Sequence, residues 1–310
     1  MGLVWVADHV TLGCEVAVKF IAGERPGKQH EQRFEREAKL AARIKSPHVV
    51  RIFDHGLTDD GHPYIVMELL EVESLAARLE RKGPLESAAV QLLISQVAEA
   101  LEQAHDLGIV HRDIKPSNLF LLRSGYELFA KVLDFGIAKQ TDVDAARAIT
   151  ETGALVGTPL YMSPEMLLSP RSADHRADLW ALAVVAYHAL TGQLAYEGET
   201  PAALAFAIEQ RRLVPPSAHV EGLSHELDAW FKLALSWDVG ARFSSATELA
   251  RTFRSAAQGE PFSVATGSGE LDRTERDPKP RDTPSPESED PEPLTPSGAA
   301  LATTVRDDSG

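Results

Sequence analysis

His111-Arg112-Asp113-Ile114-Lys115-Pro116-Ser117-Asn118 is the most informative run in this chain. It sets an acid, a cation and an amide on one short segment interrupted by proline, which reads as a loop. Before it, Val90, Ile94, Val97, Leu101 and Ala104 recur every three or four residues, the mark of a helix with one buried stripe. Gly108 stands where that helix would stop. After it, Asp134-Phe135-Gly136 follows sixteen residues beyond Asn118, and far upstream Val16-Ala17-Val18-Lys19 closes a β-branched run. Singly, each pattern is modest, since a strand lysine is usually solvated and Asp-Phe-Gly can be a bare turn. All three in this order form a specific signal.

Further outward, the first 70 residues read as strands around one helix. Leu3 to Val6 and Cys14 to Ile21 are β-rich runs separated by a polar turn at Gly13. Arg33 to Ile44 carries a stripe of Phe34, Ala38, Ala41 and Ala42 and ends before Pro47. Val49 to Phe53 and Tyr64 to Leu69 are expected strands joined across Asp59-Asp60-Gly61. Beyond Leu70 the pattern turns helical, with segments expected at Ala177–Thr191, Pro201–Arg211, Glu226–Leu235 and Ser245–Ala257. The expected organisation is α+β: a small β-rich lobe over 1–70, a larger helical lobe over 71–257, and a tail over 258–310. That tail holds 8 of the chain's 19 prolines, with 12 acidic and 5 basic side chains. So few large apolar residues cannot offset the ordering entropy, and disorder is expected there.

The 310 residues carry a formal charge of −15, of which −7 lies in the tail and −8 in the first 257 residues. An acidic surface is a poor partner for nucleic acid or an anionic membrane. The single cysteine, Cys14, cannot form an internal disulfide, which suits a reducing compartment. The most apolar run, Leu179 to Tyr187, is about half of the roughly 20 residues a membrane span requires. The start lacks a basic n-region and meets Asp8 too soon for a signal peptide, so a cytoplasmic location is expected. Gly23 to Lys28 falls one residue short of a P-loop and lacks the following Ser or Thr.

The three patterns together resemble the eukaryote-like (Hanks-type) Ser/Thr protein kinases, particularly their bacterial branch. The resemblance runs from Gly2 to about Phe253 and takes in Glu37, Gly157-Thr158-Pro159, Ser163-Pro164-Glu165, Asp178 and Arg242. It implies the two-lobed kinase fold and ATP-dependent phosphorylation of protein Ser and Thr hydroxyls. Phosphoryl transfer depends more on positioning and charge neutralisation than on covalent chemistry. Accordingly, Lys19 would hold the α/β-phosphates and Glu37 would pair with Lys19. Asn118 and Asp134 would offer hard oxygen ligands to Mg²⁺, with Mn²⁺ as a substitute. Asp113 would accept or orient the substrate hydroxyl proton, and Lys115 would steady the γ-phosphate, which argues for Ser/Thr specificity. Val4 and Ala17 would roof the adenine site, Phe120 would floor it, and Met67 would be the gatekeeper. Glu68 and Leu70 would lend hinge backbone groups. Plain core packing is the competing reading for Val4, Ala17 and Phe120.

The resemblance also implies regulation. Arg112 offers a cation to a phosphate on the following loop, where Thr150 and Thr152 precede Thr158 at a spacing similar to autophosphorylated threonines of bacterial relatives. Self-association for trans-autophosphorylation is the partner this implies. Glu165 and Arg242 are expected to form a buried ion pair, and Asp178 to anchor the catalytic-loop backbone. Ile52, Ala41, Phe135 and His111 would stack into a spine, making His111 structural. Two departures stand out. Only the end of the glycine-rich loop is present, as Gly2-Leu3-Val4, so the first strand is truncated and a sheet edge would be exposed. The reading favoured is a start internal to a longer protein. Ser163 and Val72 replace the usual Ala and Gly. A pseudokinase acting as a binding module and a small-molecule phosphotransferase stay open as alternatives. The second would not be expected to carry Ser163-Pro164-Glu165 with Arg242.

Overall fold

The computed structural model describes residues 3–11, 13–20, 28–124, 127–133, 135, 159–170, 173–198 and 200–264, with the backbone alone at 28–33, 37, 123, 124 and 127. The first strands are β1 (Leu3–His9) and β2 (Cys14–Phe20), followed by α1 (Lys28–Ala41), β3 (Ile52–Leu57) and β4 (Pro63–Glu68). The four strands form one antiparallel sheet ordered β1-β2-β4-β3. Register places Val4 opposite Lys19, Val6 opposite Ala17, and Ala17 opposite Met67. Residues directly opposite share a face, so Val4, Val6, Ala17, Lys19 and Met67 all look toward one side. The central strands bury Val16, Ala17, Ile65 and Met67. The edge strand β1 leaves Leu3, Val4, Trp5 and Val6 each more than half exposed, at 69%, 58%, 61% and 59%. Among the described residues β1 is the outermost strand of this sheet.

Two expectations shift. The helix expected over Arg33–Ile44 spans Lys28–Ala41, because a turn at Ala42 and Arg43 ends it before Pro47. The strand expected from Val49 begins at Ile52. Val49 instead bridges Val132 of the second lobe, Val50 N–H donates to Val132 O at 3.0 Å, and Val132 N–H donates to His48 O at 2.8 Å. The apolar run is real, but its first part ties the lobes together rather than extending the sheet.

The second lobe opens with β5 (Glu73–Ser74), α2 (Leu75–Lys82) and α3 (Ser87–Asp106), then β6 (Leu119–Ser124) and β7 (Glu127–Val132). Ser74 caps α2 by accepting from Ala77 N–H, one of the donors a helix start leaves unsatisfied. The β5-β6-β7 sheet was not expected in a helical lobe. It lies against α3, whose Gln96 donates to Leu128 O at 3.0 Å and accepts from Ala130 N–H at 2.7 Å. After it come α4 (Pro164–Leu168), α5 (Arg176–Thr191), α6 (Pro201–Glu209), α7 (His225–Ala234) and α8 (Ala246–Ala257). Helix α5 is buried on every side, as expected of a helix with no polar face. Trp230, Phe231, Phe243 and Phe253 interlock edge-on and stacked beneath it. The packed body continues past Ala257: Phe262 and Val264 lie on the core, and Arg251 donates to Ser263 O at 3.3 Å. Residues 265–310, the rest of the expected tail, lie outside the described residues. No described helix is long and apolar enough to cross a membrane.

Candidate active site

The loop after α3 is built from its backbone outward. Asp178, near the start of α5 and 1% exposed, takes His111 N–H at 2.8 Å on Oδ2 and Arg112 N–H at 2.7 Å on Oδ1. Arg112 has φ of +61°, a left-handed conformation that costs any residue with a Cβ energy and needs outside support. The two charge-assisted bonds from Asp178 supply it. His111 is fully buried, donates from Nε2 to Leu133 O at 2.8 Å, and accepts Asp113 N–H on Nδ1 at 3.2 Å. Both ring nitrogens are thus committed, and the ring stands 4.7 Å from that of Phe135. Phe135 and Ala41 belong to the same core cluster, with Ile52 packed on it.

Asp113, Lys115 and Asn118 converge. Asn118 Nδ2 donates to Asp113 O at 2.8 Å and to Asp113 Oδ2 at 3.0 Å. Lys115 Nζ lies 3.0 Å from the same Oδ2, and both side chains are largely buried. This leaves the amide oxygen of Asn118 as its available acceptor, the donor type a hard divalent cation takes. Arg112 Nε is buried and has no hydrogen-bond partner among the described residues, in a small cavity it shares with Asp113, Lys115, Tyr161 and Met166. Tyr161 OH hydrogen-bonds His188 Nδ1 at 2.8 Å; burial pushes the Tyr161 hydroxyl up to about 12 and pushes His188 down.

Across the cleft, Ala17, Met67 and Val50 form a separate buried cluster with Leu69, Leu70 and Leu133 against it. Lys19 and Val4 face the same side. Of the expected lining, Ala17, Met67 and Leu70 are brought together; Phe120 sits on β6, half-buried, opposite Lys131. The Glu68 backbone N–H donates to Arg51 O at 2.9 Å. Its carboxylate accepts Arg51 N–H at 2.7 Å and pairs with Lys131 Nζ at 2.5 Å. Asp134, Thr150, Thr152 and Thr158 lie outside the described residues, as does the side chain of Glu37.

On the far side of the loop, Arg242 grips Glu165 with two parallel bonds of 2.7 and 2.9 Å. Its Nε also donates to Ser236 O at 2.7 Å, and its guanidinium stands 4.7 Å over the Trp180 ring. Burial alone would raise the Glu165 carboxyl, but hydrogen bonding and charge from Arg242 outweigh it and hold the group below its ordinary value. Ser163, one of the two departures, caps α4 by accepting from Met166 N–H, with Pro164 at the first helical position.

Four residues contribute to the site without having been singled out from the sequence. His105 Nε2 donates to Asp178 Oδ2 at 2.9 Å. The signal was available, since His105 follows Leu101 by four residues on the buried stripe of α3. Val50, Leu133 and Lys131 carry no motif, and only the meeting of the lobes gives them a role.

The sequence profile of the protein kinase domain matches residues 1–253. The serine/threonine-protein kinase Pkn1 of Myxococcus xanthus is 42% identical over 260 residues, covering 83% of this chain and 36% of that protein. PknB of Mycobacterium tuberculosis is 34% identical over 265 residues, covering 84% and 42%. The chain thus spans less than half the length of these relatives. Among solved structures, a double mutant of the PknI kinase domain from Mycobacterium tuberculosis superposes with a TM-score of 0.65 at 26% identity, covering 83% of this chain and 91% of that one.

Proposed function

The chain belongs to the protein kinase domain family, and from that premise we propose that it transfers the γ-phosphate of ATP to Ser and Thr hydroxyls of proteins. The observation that carries this reading is the convergence of Lys115 and Asn118 on Asp113 Oδ2, on a loop whose strained backbone Asp178 holds in place.

Asp113 orients the acceptor hydroxyl and takes its proton as the new bond to the γ-phosphorus forms and the bond from that phosphorus to the β,γ-bridging oxygen breaks, with ADP as the leaving group. Lys115 offsets the negative charge that collects on the transferring group, and its 3.0 Å contact with Asp113 keeps that carboxylate aimed. Lys19 binds the α/β-phosphates, and Glu37 holds Lys19 in place. Ala17, Met67, Leu70 and Leu133 give the adenine an apolar slot. Asn118, through its amide oxygen, and Asp134 would hold a divalent cation, which would supply positive charge to offset that of the phosphates. Mg²⁺ is the expected ion, with Mn²⁺ able to replace it. Glu165 and Arg242 brace the segment on which a protein substrate rests, which favours a protein over a small-molecule acceptor.

Among the described residues the buried Nε of Arg112 meets no acceptor, which supports a phosphate-binding role, because a buried cationic donor left without one is costly. A phosphate at Thr150 or Thr152, added in trans by a second copy, would meet that donor and order the loop over Asp113. The exposed thiol of Cys14 fits a cytoplasmic setting.

The test is transfer of label from γ-labelled ATP with Mg²⁺ to a generic basic protein. Asp113→Asn is expected to lower the rate about 10²–10⁴-fold, the usual contribution of a general base. Equal labelling by the two proteins would remove the enzymatic reading.

A further inference from the structure

Lys131 stands on β7 directly opposite Phe120 of β6, so the two side chains share one face of the second-lobe sheet. From that sheet Lys131 reaches the other lobe, where its Nζ lies 2.5 Å from Glu68 Oε1. The same oxygen accepts Arg51 N–H at 2.7 Å, and Glu68 N–H donates to Arg51 O at 2.9 Å. Glu68 is therefore held by its main chain and by its carboxylate at once. It is the last residue of β4. Leu69 and Leu70, directly after it, pack on the cluster of Ala17, Val50 and Met67.

These bonds close a circuit. Lys131 is followed by Val132, whose carbonyl accepts Val50 N–H at 3.0 Å. Val50 leads to Arg51, Arg51 bonds Glu68, and Glu68 returns to Lys131 Nζ. Backbone groups suffice for every step except that return, which is the ion pair. The circuit joins the two walls of the apolar slot. Ala17 and Met67 come from the first lobe, while Phe120 and Leu133 come from the second and sit next to Val132 and Lys131 in sequence or register. Apolar contacts between the walls have no preferred direction, so by themselves they leave the spacing loosely set. A short charge-assisted bond between groups 14% and 25% exposed is directional and only weakly screened.

We propose that Lys131 is a positioning residue for the base of the nucleotide: through Glu68 it sets the spacing between the Glu68–Leu70 connection and the opposite wall at Phe120 and Leu133, and so the affinity for the base, without touching it. The proposal rests on the protein-kinase reading above, since it needs the base of ATP to lie in this slot. Without the bridge the slot samples other spacings, and only the fraction of molecules at the working spacing binds. The phosphate end of the nucleotide is unaffected, because Lys19 on β2 and Lys115 on the catalytic loop take no part in the circuit.

The test is binding of adenosine, which carries base and sugar without phosphate or metal, measured by calorimetry on the unsubstituted chain and its variants. Inorganic tripolyphosphate is the probe for the phosphate end. Lys131→Met keeps the reach of the side chain and removes its charge. It should weaken adenosine about fivefold, the scale of one partly buried ion pair, and leave tripolyphosphate unchanged. Lys131→Arg should restore most of that affinity, because it keeps the charge that Glu68 pairs with. Glu68→Gln should match Lys131→Met, and the double variant should be no weaker than either, as expected when two residues act as one pair. In transfer assays the KM for ATP should rise by the same factor while kcat holds. Adenosine affinity indifferent to Lys131→Met would overturn the proposal. So would an equal loss for tripolyphosphate, which marks a general loosening of the lobes, or losses that add in the double variant. Failure of the unsubstituted chain to bind adenosine at all would remove the nucleotide reading and this proposal with it, whereas binding that ignores Lys131 removes the bridge alone.

Discussion

Arg242 shows how one side chain can hold a site it never touches. It is 4% exposed, and it makes two bonds to Glu165, one to Ser236 O and a cation–π contact with Trp180. Arg242→Ala would strand a mostly buried carboxylate, and the expected loss is about 3–5 kcal/mol in urea unfolding. Because Arg242 holds Glu165 below its ordinary value of 4.5, the unfolded chain binds a proton there before the folded chain does. The contribution is complete above pH 4.5 and is lost as pH falls through the folded value. The variant should therefore lose its stability deficit relative to the parent only in that acid range. The pair, 77 residues apart, was legible because both partners belong to a familiar set of motifs. Trp180 as the plate under Arg242 was not, since an aromatic in an apolar helix reads as ordinary core.

The catalytic loop is an element with little regular structure of its own, and two helices hold it. Asp178 at the head of α5 accepts both loop N–H groups, and His105 at the end of α3 occupies the remaining approach to Oδ2. Removing the histidine leaves the carboxylate free to rotate away from the strained Arg112 backbone. His105→Ala is expected to lower kcat by up to about 100-fold, the scale of a 1 Å misplacement of a catalytic group. Its KM for ATP should stay near the parent value, because Lys19 and the Ala17–Met67 slot are on other elements. His105→Gln, which can still donate to Asp178, should recover part of the loss. A KM change as large as the kcat change would mark a general folding defect instead. The periodicity of α3 told where the helix lies and which face it buries. It did not tell that a polar residue on that face meets an aspartate 73 residues away, because a helical stripe records burial and not partner identity.

At the scale of the whole molecule, backbone pairing and an ion pair tie the lobes together beside a shared apolar core. Val49 and Val50 pair with Val132, and Lys131 reaches from β7 to Glu68 beside the hinge. Lys131 and Glu68 are only 14% and 25% exposed, so the pair is less screened than a surface bridge. Lys131→Met is expected to cost about 1 kcal/mol, or about 2–4 °C in Tm, while thermal unfolding stays a single transition. A second, earlier transition would show that this bridge is what makes the lobes unfold together. The sequence by itself determined the α+β class, the two-lobed order, the helices of the large lobe and the family, because periodicity and contiguous motifs are local properties of a chain. Tertiary structure alone decided that Val49–Val50 link the lobes, that a β5-β6-β7 sheet lies in the helical lobe, and that His105, Lys131 and Leu133 belong to the site. It alone set Lys131 opposite Phe120 and within reach of Glu68. Each of these depends on which distant surfaces meet, and the burial and hydrogen bonding that select such meetings act between residues whose separation along the chain carries no mark of the encounter.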